Sequence, residues 1–156
     1  MIRFYNGKVL TMHGDMAVTD DEVWVDGDKI AYVGKDCTGQ ADQEIDLHGN
    51  LLMPSFKNAH THSAMTFLRS YADDLPLASW LNDRVFPMEA RLRPGDIAPL
   101  SALAFAEYLT SGCTACFDMY YFQEETARAS VESGFRTVFT CGLNNFCLLY
   151  TSDAAD

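Results

Sequence analysis

The apolar pattern changes its period at Pro54, and that change constrains the fold more than any other feature of the chain. Before Pro54 short apolar runs alternate with tight turns: Ile2 to Tyr5, Lys8 to Met12, Glu22 to Val25, Lys29 to Val33 and Glu44 to Leu47. The Asp26-Gly27-Asp28 turn marks a hairpin, because Asp and Gly tolerate the positive φ that two-residue turns demand. Residues 1–53 are therefore predicted to form a small β unit. Beyond Pro54 the reading is a short strand from Ser55 to Ala59, a polar and helical stretch to about Leu92, and an amphipathic helix from Asp96 to Ser111. Asp96 is placed as the cap of that helix, apolar residues recur at Ile97, Leu100, Ala104, Phe105, Tyr108 and Leu109, and Gly112 suits the left-handed stop. A strand from Cys113 to Met119, a helix from Gln123 to Ser133 and a strand from Phe135 to Cys141 follow. Strand, helix, strand, helix, strand at this spacing builds βαβ units with parallel strands.

Length sets a limit on that series, since a closed (β/α)8 barrel takes about 250 residues and this chain has 156. Lys and Arg number 11 against 22 Asp and Glu, for a net charge of -11. A field of that sign argues against nucleic acid and anionic membrane surfaces as partners. Ten of the acids lie between Asp15 and Asp46, opposed there by Lys29 and Lys35, and read as a solvated face. The N-terminus, MIRFYNGKVLTM, meets the polar Asn6-Gly7 pair too early for the apolar core of a signal peptide, and no later run approaches a membrane span. A cytoplasmic location is expected. Cys37, Cys113, Cys116, Cys141 and Cys147 make an odd count without secretory context, so reduced and mostly buried thiols are expected.

The chemistry concentrates at His60-Thr61-His62, at the C-terminal end of the strand that opens the second part. Residues i and i+2 of an extended chain face the same way, and α/β proteins place their sites at such strand ends. Two imidazoles can thus reach one cation, or can donate hydrogen bonds at a strand end; spacing alone leaves both readings open.

The surrounding run, MPSFKNAHTHSAMTFLRSYADDLPLASWL followed by PMEARL, resembles the first barrel strand and following loop of the amidohydrolase superfamily, in particular its adenosine-type deaminases and their chlorohydrolase relatives. The resemblance runs from Met1 to about Phe146. It implies an α/β fold: the N-terminal part of a metal-dependent (β/α)8 TIM barrel over residues 54–146, preceded by half of a small β-sandwich. It makes His60 and His62 metal ligands, with Zn2+ or another divalent ion as cofactor and a small nucleoside such as methylthioadenosine or S-adenosylhomocysteine as substrate. A divalent ion lowers the pKa of bound water from about 15.7 to about 7, which allows attack on the amino-bearing ring carbon at neutral pH. The remaining ligands and the proton shuttle would come from barrel strands five, six and eight, so no catalytic residue is assigned within this chain.

Glu89 matches the carboxylate that binds the substrate ribose hydroxyls in the resembled deaminases; a surface pair with Arg93 at i+4 is the other reading. Trp80 lies in a loop expected to cover the pocket, or anchors the core. Asp73 and Asp74 are read as caps or turn residues, Asp118 as a hydrogen-bonded strand-end carboxylate ahead of the alternative that it supports the metal ligands from behind, and His13 and His48 as surface residues in turns. Cys113 and Cys116 form a C-x-x-C, but no H-x-E accompanies it, so buried packing is expected over a cytidine-deaminase zinc site. Cys141 stands where the deaminases often carry an arginine, which weakens the choice of nucleoside.

The last ten residues, CLLYTSDAAD, fall outside the resemblance and read as a non-native tail, the translation of a library adapter end. On this reading the chain is truncated, its cut sheet edge is open to association, and a homo-oligomer is an expectation for the full-length protein. Within enzymes the runner-up is a guanine deaminase or a triazine chlorohydrolase-like relative. Outside them it is a catalytically inactive fragment, since two imidazoles leave a zinc site short of protein ligands.

Overall fold

The structure, a computed structural model, describes residues 1–141 and is mixed α/β. The expected tail at 147–156, and Cys147 with it, lies outside the described residues. The chain falls into two units that part after Pro54.

The first unit holds β1 (Ile2–Tyr5), β2 (Lys8–Leu10), β3 (Val18–Thr19), β4 (Glu22–Asp26), β5 (Lys29–Gly34), β6 (Gln43–Asp46) and β7 (Leu51–Leu52). One sheet runs β5-β4-β1-β6, with β1 parallel to β6 and antiparallel to β4; the other runs β3-β2-β7. The hairpin falls where its turn residues demand: Asp26 pairs with Lys29 across Gly27-Asp28, and Gly27 takes φ +58°, which an L side chain resists. The two-residue β3 has no sequence period to betray it; pairing with Val9 and Leu10 makes it a strand. The acidic stretch is largely exposed, as its composition suggests, yet several of its carboxylates pair across strands. The Arg3 guanidinium donates to Glu22 at 2.9 Å and to Glu44 at 2.7 Å, and Lys8 donates to Asp20 at 2.6 Å.

The second unit begins with β8 (Phe56–Thr61), which runs straight into a 3₁₀ segment, Ser63–Leu68. A continuous helical stretch follows: α1 (Leu77–Ser79), a π-helical segment Trp80–Val85, and α2 (Phe86–Glu89). Then come α3 (Pro94–Thr110), β9 (Cys113–Tyr120), α4 (Gln123–Ser133) and β10 (Arg136–Cys141). The sheet order is β10-β9-β8 with every pairing parallel, the arrangement that the alternating strands and helices imply. Thr61 registers with Asp118 and Cys141 with Tyr120, so the carboxyl ends of the three strands lie together.

Helix α3 starts earlier than its sequence suggests. Pro94 takes the first helical position, where its missing N–H costs nothing, and Asp96 sits two residues in and accepts the Arg93 backbone N–H at 2.9 Å. Asp96 therefore secures the N-terminus from the third helical position instead of preceding it. Gly112 ends the helix at φ +81°. The apolar face of α3 packs into two clusters. Ala98 and Phe105 meet Cys116, Ala129 and Phe135, with Phe105 stacked on Phe135 at 4.7 Å; Ile97 meets Ala64, Leu92 and Tyr120. Cys113 and Cys116 are buried free thiols, as packing residues should be, and burial pushes the Cys116 thiol up from its ordinary pKa.

Candidate active site

The carboxyl end of β8 delivers His60 as the next-to-last strand residue and His62 just beyond it. Their rings lie edge to face with centroids 5.1 Å apart, so the i, i+2 spacing does bring both imidazoles to one place. The His62 Nδ1 lies 2.5 Å from the Met119 carbonyl oxygen. A carbonyl only accepts, so Nδ1 carries the proton and the Nε2 lone pair is left for a ligand. The turn behind His62 is held as well. Asp118 is fully buried, and its Oδ2 accepts the Ser63 backbone N–H at 2.8 Å; among the described residues its Oδ1 has no partner. The strand-end reading of Asp118 thus holds, and the group it secures is the residue next to a candidate ligand.

A cavity of about 220 Å³ opens beside His62. Trp80, Leu81, Val85 and Phe86 from the helical stretch give it an apolar wall, while Glu89 and Tyr120 supply polar atoms. Trp80 thus faces the pocket from a π-helical turn instead of from a loop. Glu89 is only 5% exposed. It accepts a hydrogen bond from the Tyr120 hydroxyl at 2.8 Å and another from Tyr121 at 3.4 Å. The surface pair with Arg93 is not formed: the last turn of α2 rotates Glu89 inward, onto tyrosines 31 and 32 residues away in sequence. Burial, and after it the charge of Glu89, push the Tyr120 phenol far above its ordinary pKa, so it stays protonated as a donor.

Other expected residues lie elsewhere. Asp74 adopts φ +59° in a turn, and the helix that follows is preceded by Pro76 without a side-chain cap, so the capping role of Asp73 and Asp74 is not realised. His13 and His48 are exposed in the first unit. Among the described residues no group of three or more His, Cys, Asp or Glu side chains could hold a metal ion. The donor set at His60 and His62 fits zinc in kind, as two neutral imidazoles do, and two ligands are what these residues supply. Tyr120 and Tyr121 went unsingled in the sequence; the only trace they leave there is their place just past Asp118-Met119, at the end of an apolar strand.

Residues 51–145 match the model of the Amidohydrolase family. Among curated relatives, the 5'-deoxyadenosine deaminase of Methanococcoides burtonii is 41% identical over 139 residues, covering 88% of this chain and 32% of that protein. The 5-methylthioadenosine/S-adenosylhomocysteine deaminase of Syntrophomonas wolfei is 48% identical over 110 residues, covering 70% of this chain and 26% of that one. Among solved structures, an adenosine deaminase from Xanthomonas campestris with bound zinc superposes at a TM-score of 0.82 with 31% identity, over 88% of this chain and 33% of its own. The chain thus spans about a third of the length of the relatives it matches.

Proposed function

Because the chain belongs to the amidohydrolase family, we propose that it is the N-terminal part of a zinc-dependent aminohydrolase acting on adenosine-type nucleosides. The observation that carries this reading is that His62 and a buried Glu89, the latter held by Tyr120 and Tyr121, line one cavity with an apolar wall of Trp80, Leu81, Val85 and Phe86. That combination suits a flat apolar base carrying a sugar with hydroxyl groups. The curated relatives named for 5'-deoxyadenosine and for methylthioadenosine point to the same substrate class.

His60 and His62 are the residues that would hold zinc, through the His62 Nε2 that Met119 leaves free. Zinc, when bound, supplies Lewis acidity that makes water nucleophilic near neutral pH. The chain's own groups do the rest of what this part contributes. Asp118 and Met119 hold the His-Thr-His turn, the indole of Trp80 and the ring of Phe86 exclude water from the base, and Glu89 accepts from substrate hydroxyls. The parallel sheet supports the barrel reading. Phe56, Phe117, Met119 and Val138 are exposed, whereas parallel sheets bury both faces, so further strands and helices of a (β/α)8 barrel would cover what is open here. The first unit is then half of the accompanying β-sandwich.

The test is the complete protein carrying this sequence, loaded with zinc and offered 5'-deoxyadenosine, methylthioadenosine, guanine and a chlorotriazine. Ammonia release from the two nucleosides, lost on His62→Ala together with the metal, is expected. Release from guanine alone, or chloride from the triazine, overturns the substrate class. A second reading applies to the 156 residues by themselves. Among the described residues two imidazoles fall short of the three protein ligands of a catalytic zinc site, which supports reading this chain by itself as an inactive fragment. Zinc titration of the purified chain checks it: weak binding without deamination is expected, and nanomolar binding with turnover refutes it.

A further inference from the structure

Glu89 poses a physical problem that its role as a substrate acceptor does not solve. A carboxylate that is 5% exposed and, among the described residues, enters no ion pair would be costly unless donors surround it. Its donors come from one place, the end of β9, where Tyr120 and the residue after the strand, Tyr121, reach the two carboxylate oxygens separately. Each carboxylate oxygen has two acceptor directions. One tyrosine hydroxyl on each leaves one direction on each, which matches a vicinal diol that donates twice.

We propose that Tyr120 is the positioning residue that sets Glu89 at a fixed distance from the metal ligands and so selects substrates with two adjacent hydroxyl groups. The inference rests on the reading of Glu89 as the hydroxyl acceptor. Tyr120 is suited to the task because it touches both halves of the site. Its hydroxyl lies 2.8 Å from Glu89 Oε1, and its ring centroid lies 6.3 Å from that of His62. The ring is 8% exposed and packed on Ala64, Leu92 and Ile97, so it does not swing away. Immediately before it in the strand, Met119 orients His62, and before that Asp118 holds Ser63. Three consecutive residues of one strand therefore tie down both the metal-binding turn and the sugar-binding carboxylate, and a rigid strand carries the spacing between them better than a loop. Tyr121, at 3.4 Å, is the weaker of the two restraints.

The experiment uses the complete zinc-loaded enzyme and two substrates, 5'-deoxyadenosine and 2',3'-dideoxyadenosine, the second lacking both ring hydroxyls. The quantity read is the ratio of their kcat/KM values, with kcat and KM separated and zinc counted per chain. Tyr120→Phe is expected to lower the ratio about ten-fold through KM, the loss of one hydrogen bond to a carboxylate, with zinc retained. An equal fall in kcat on both substrates, or loss of zinc, overturns the inference and makes Tyr120 a structural support. Glu89→Gln separates this from the functional reading. If Glu89→Gln leaves the ratio unchanged, the reading of Glu89 itself fails and the inference goes with it. If it collapses the ratio while Tyr120→Phe does not, the positioning role alone is refuted. Should the phenylalanine variant not fold, 3-fluorotyrosine at 120 keeps the ring and acidifies the hydroxyl; it must shift the same ratio, and an unchanged ratio overturns the proposal.

Discussion

The first unit buries Val9, Val23 and Trp24 as its larger apolar groups, and several ion pairs tie its side chains across strands. Arg3 joins β4 and β6 to β1 through Glu22 and Glu44, while its guanidinium lies 4.9 Å from the Tyr5 ring and 5.6 Å from that of Trp24. The second unit is built the other way, with α3 and α4 laid over a parallel sheet and two apolar clusters between. The site sits on the unit with the apolar layer. Such a layer is close-packed and insensitive to salt and mild acid, so it can hold imidazoles and a carboxylate in register. Exposed ion pairs contribute little and fade with ionic strength.

If that contrast is right, the largest effect belongs to the core of the second unit. Phe105→Ala removes a fully buried ring stacked on Phe135, and should destabilise that unit by about 3–5 kcal/mol, read as a lowered urea midpoint with fluorescence or exchange probes on α3 and β9. A loss below about 1 kcal/mol would mean that the helix layer is not what holds the sheet. Next in size, Gly112→Ala should cost about 1–2 kcal/mol, because φ +81° is strained for any L residue; open space around the position makes this a backbone effect alone. Equal stability of the two proteins would show that the α3-to-β9 turn relaxes.

The first unit should respond to solution conditions before it responds to apolar truncation. Arg3 holds the Glu22 carboxyl below its usual range, with the Trp24 N–H adding to the effect. A depressed folded pKa gives stability that is complete above the unfolded value near 4.5 and is lost as pH falls through the folded one. Amide exchange should therefore quicken in β1, β4 and β6 as pH drops from 5 to about 3, after correction for intrinsic rates, while β9 keeps its protection. Earlier loss in β9 would invert the comparison. The smallest effect is expected for Arg3→Met, a loss of first-unit stability that shrinks in about 1 M salt, where screening falls to about 3 Å; a loss that persists there would assign the role of Arg3 to packing on Tyr5 and Trp24.

Much of this was readable in the chain. The bounds of β1 match its apolar run, α4 spans the residues expected of it, and the Asp26-Gly27-Asp28 turn and the stop at Gly112 are where turn chemistry puts them, because φ preferences and periodicity act within a few residues. The meeting of His60 and His62 was equally local, since residues two apart at a strand end lie close whatever the rest of the fold does. The start of α3 lies two residues before Asp96; Asp at the third helical position and Asp at the cap look alike in sequence, and Pro94 decides between them. Strand β3 was invisible because two residues carry no period.

Within the candidate site the division follows sequence distance. The residue types, two imidazoles at i and i+2 and an acid after Pro87-Met88, were set by the chain alone. Which way Glu89 faces was decided only by packing, since a helical residue can turn to solvent or inward and the choice depends on partners 31 and 32 residues on. The His62 tautomer likewise depends on a carbonyl 57 residues away. Sequence determined what local dihedral and hydrogen-bonding preferences control, and the tertiary structure decided what needs two distant segments at one place, because only the parallel register of β8 and β9 brings the end of one strand to the side of the other.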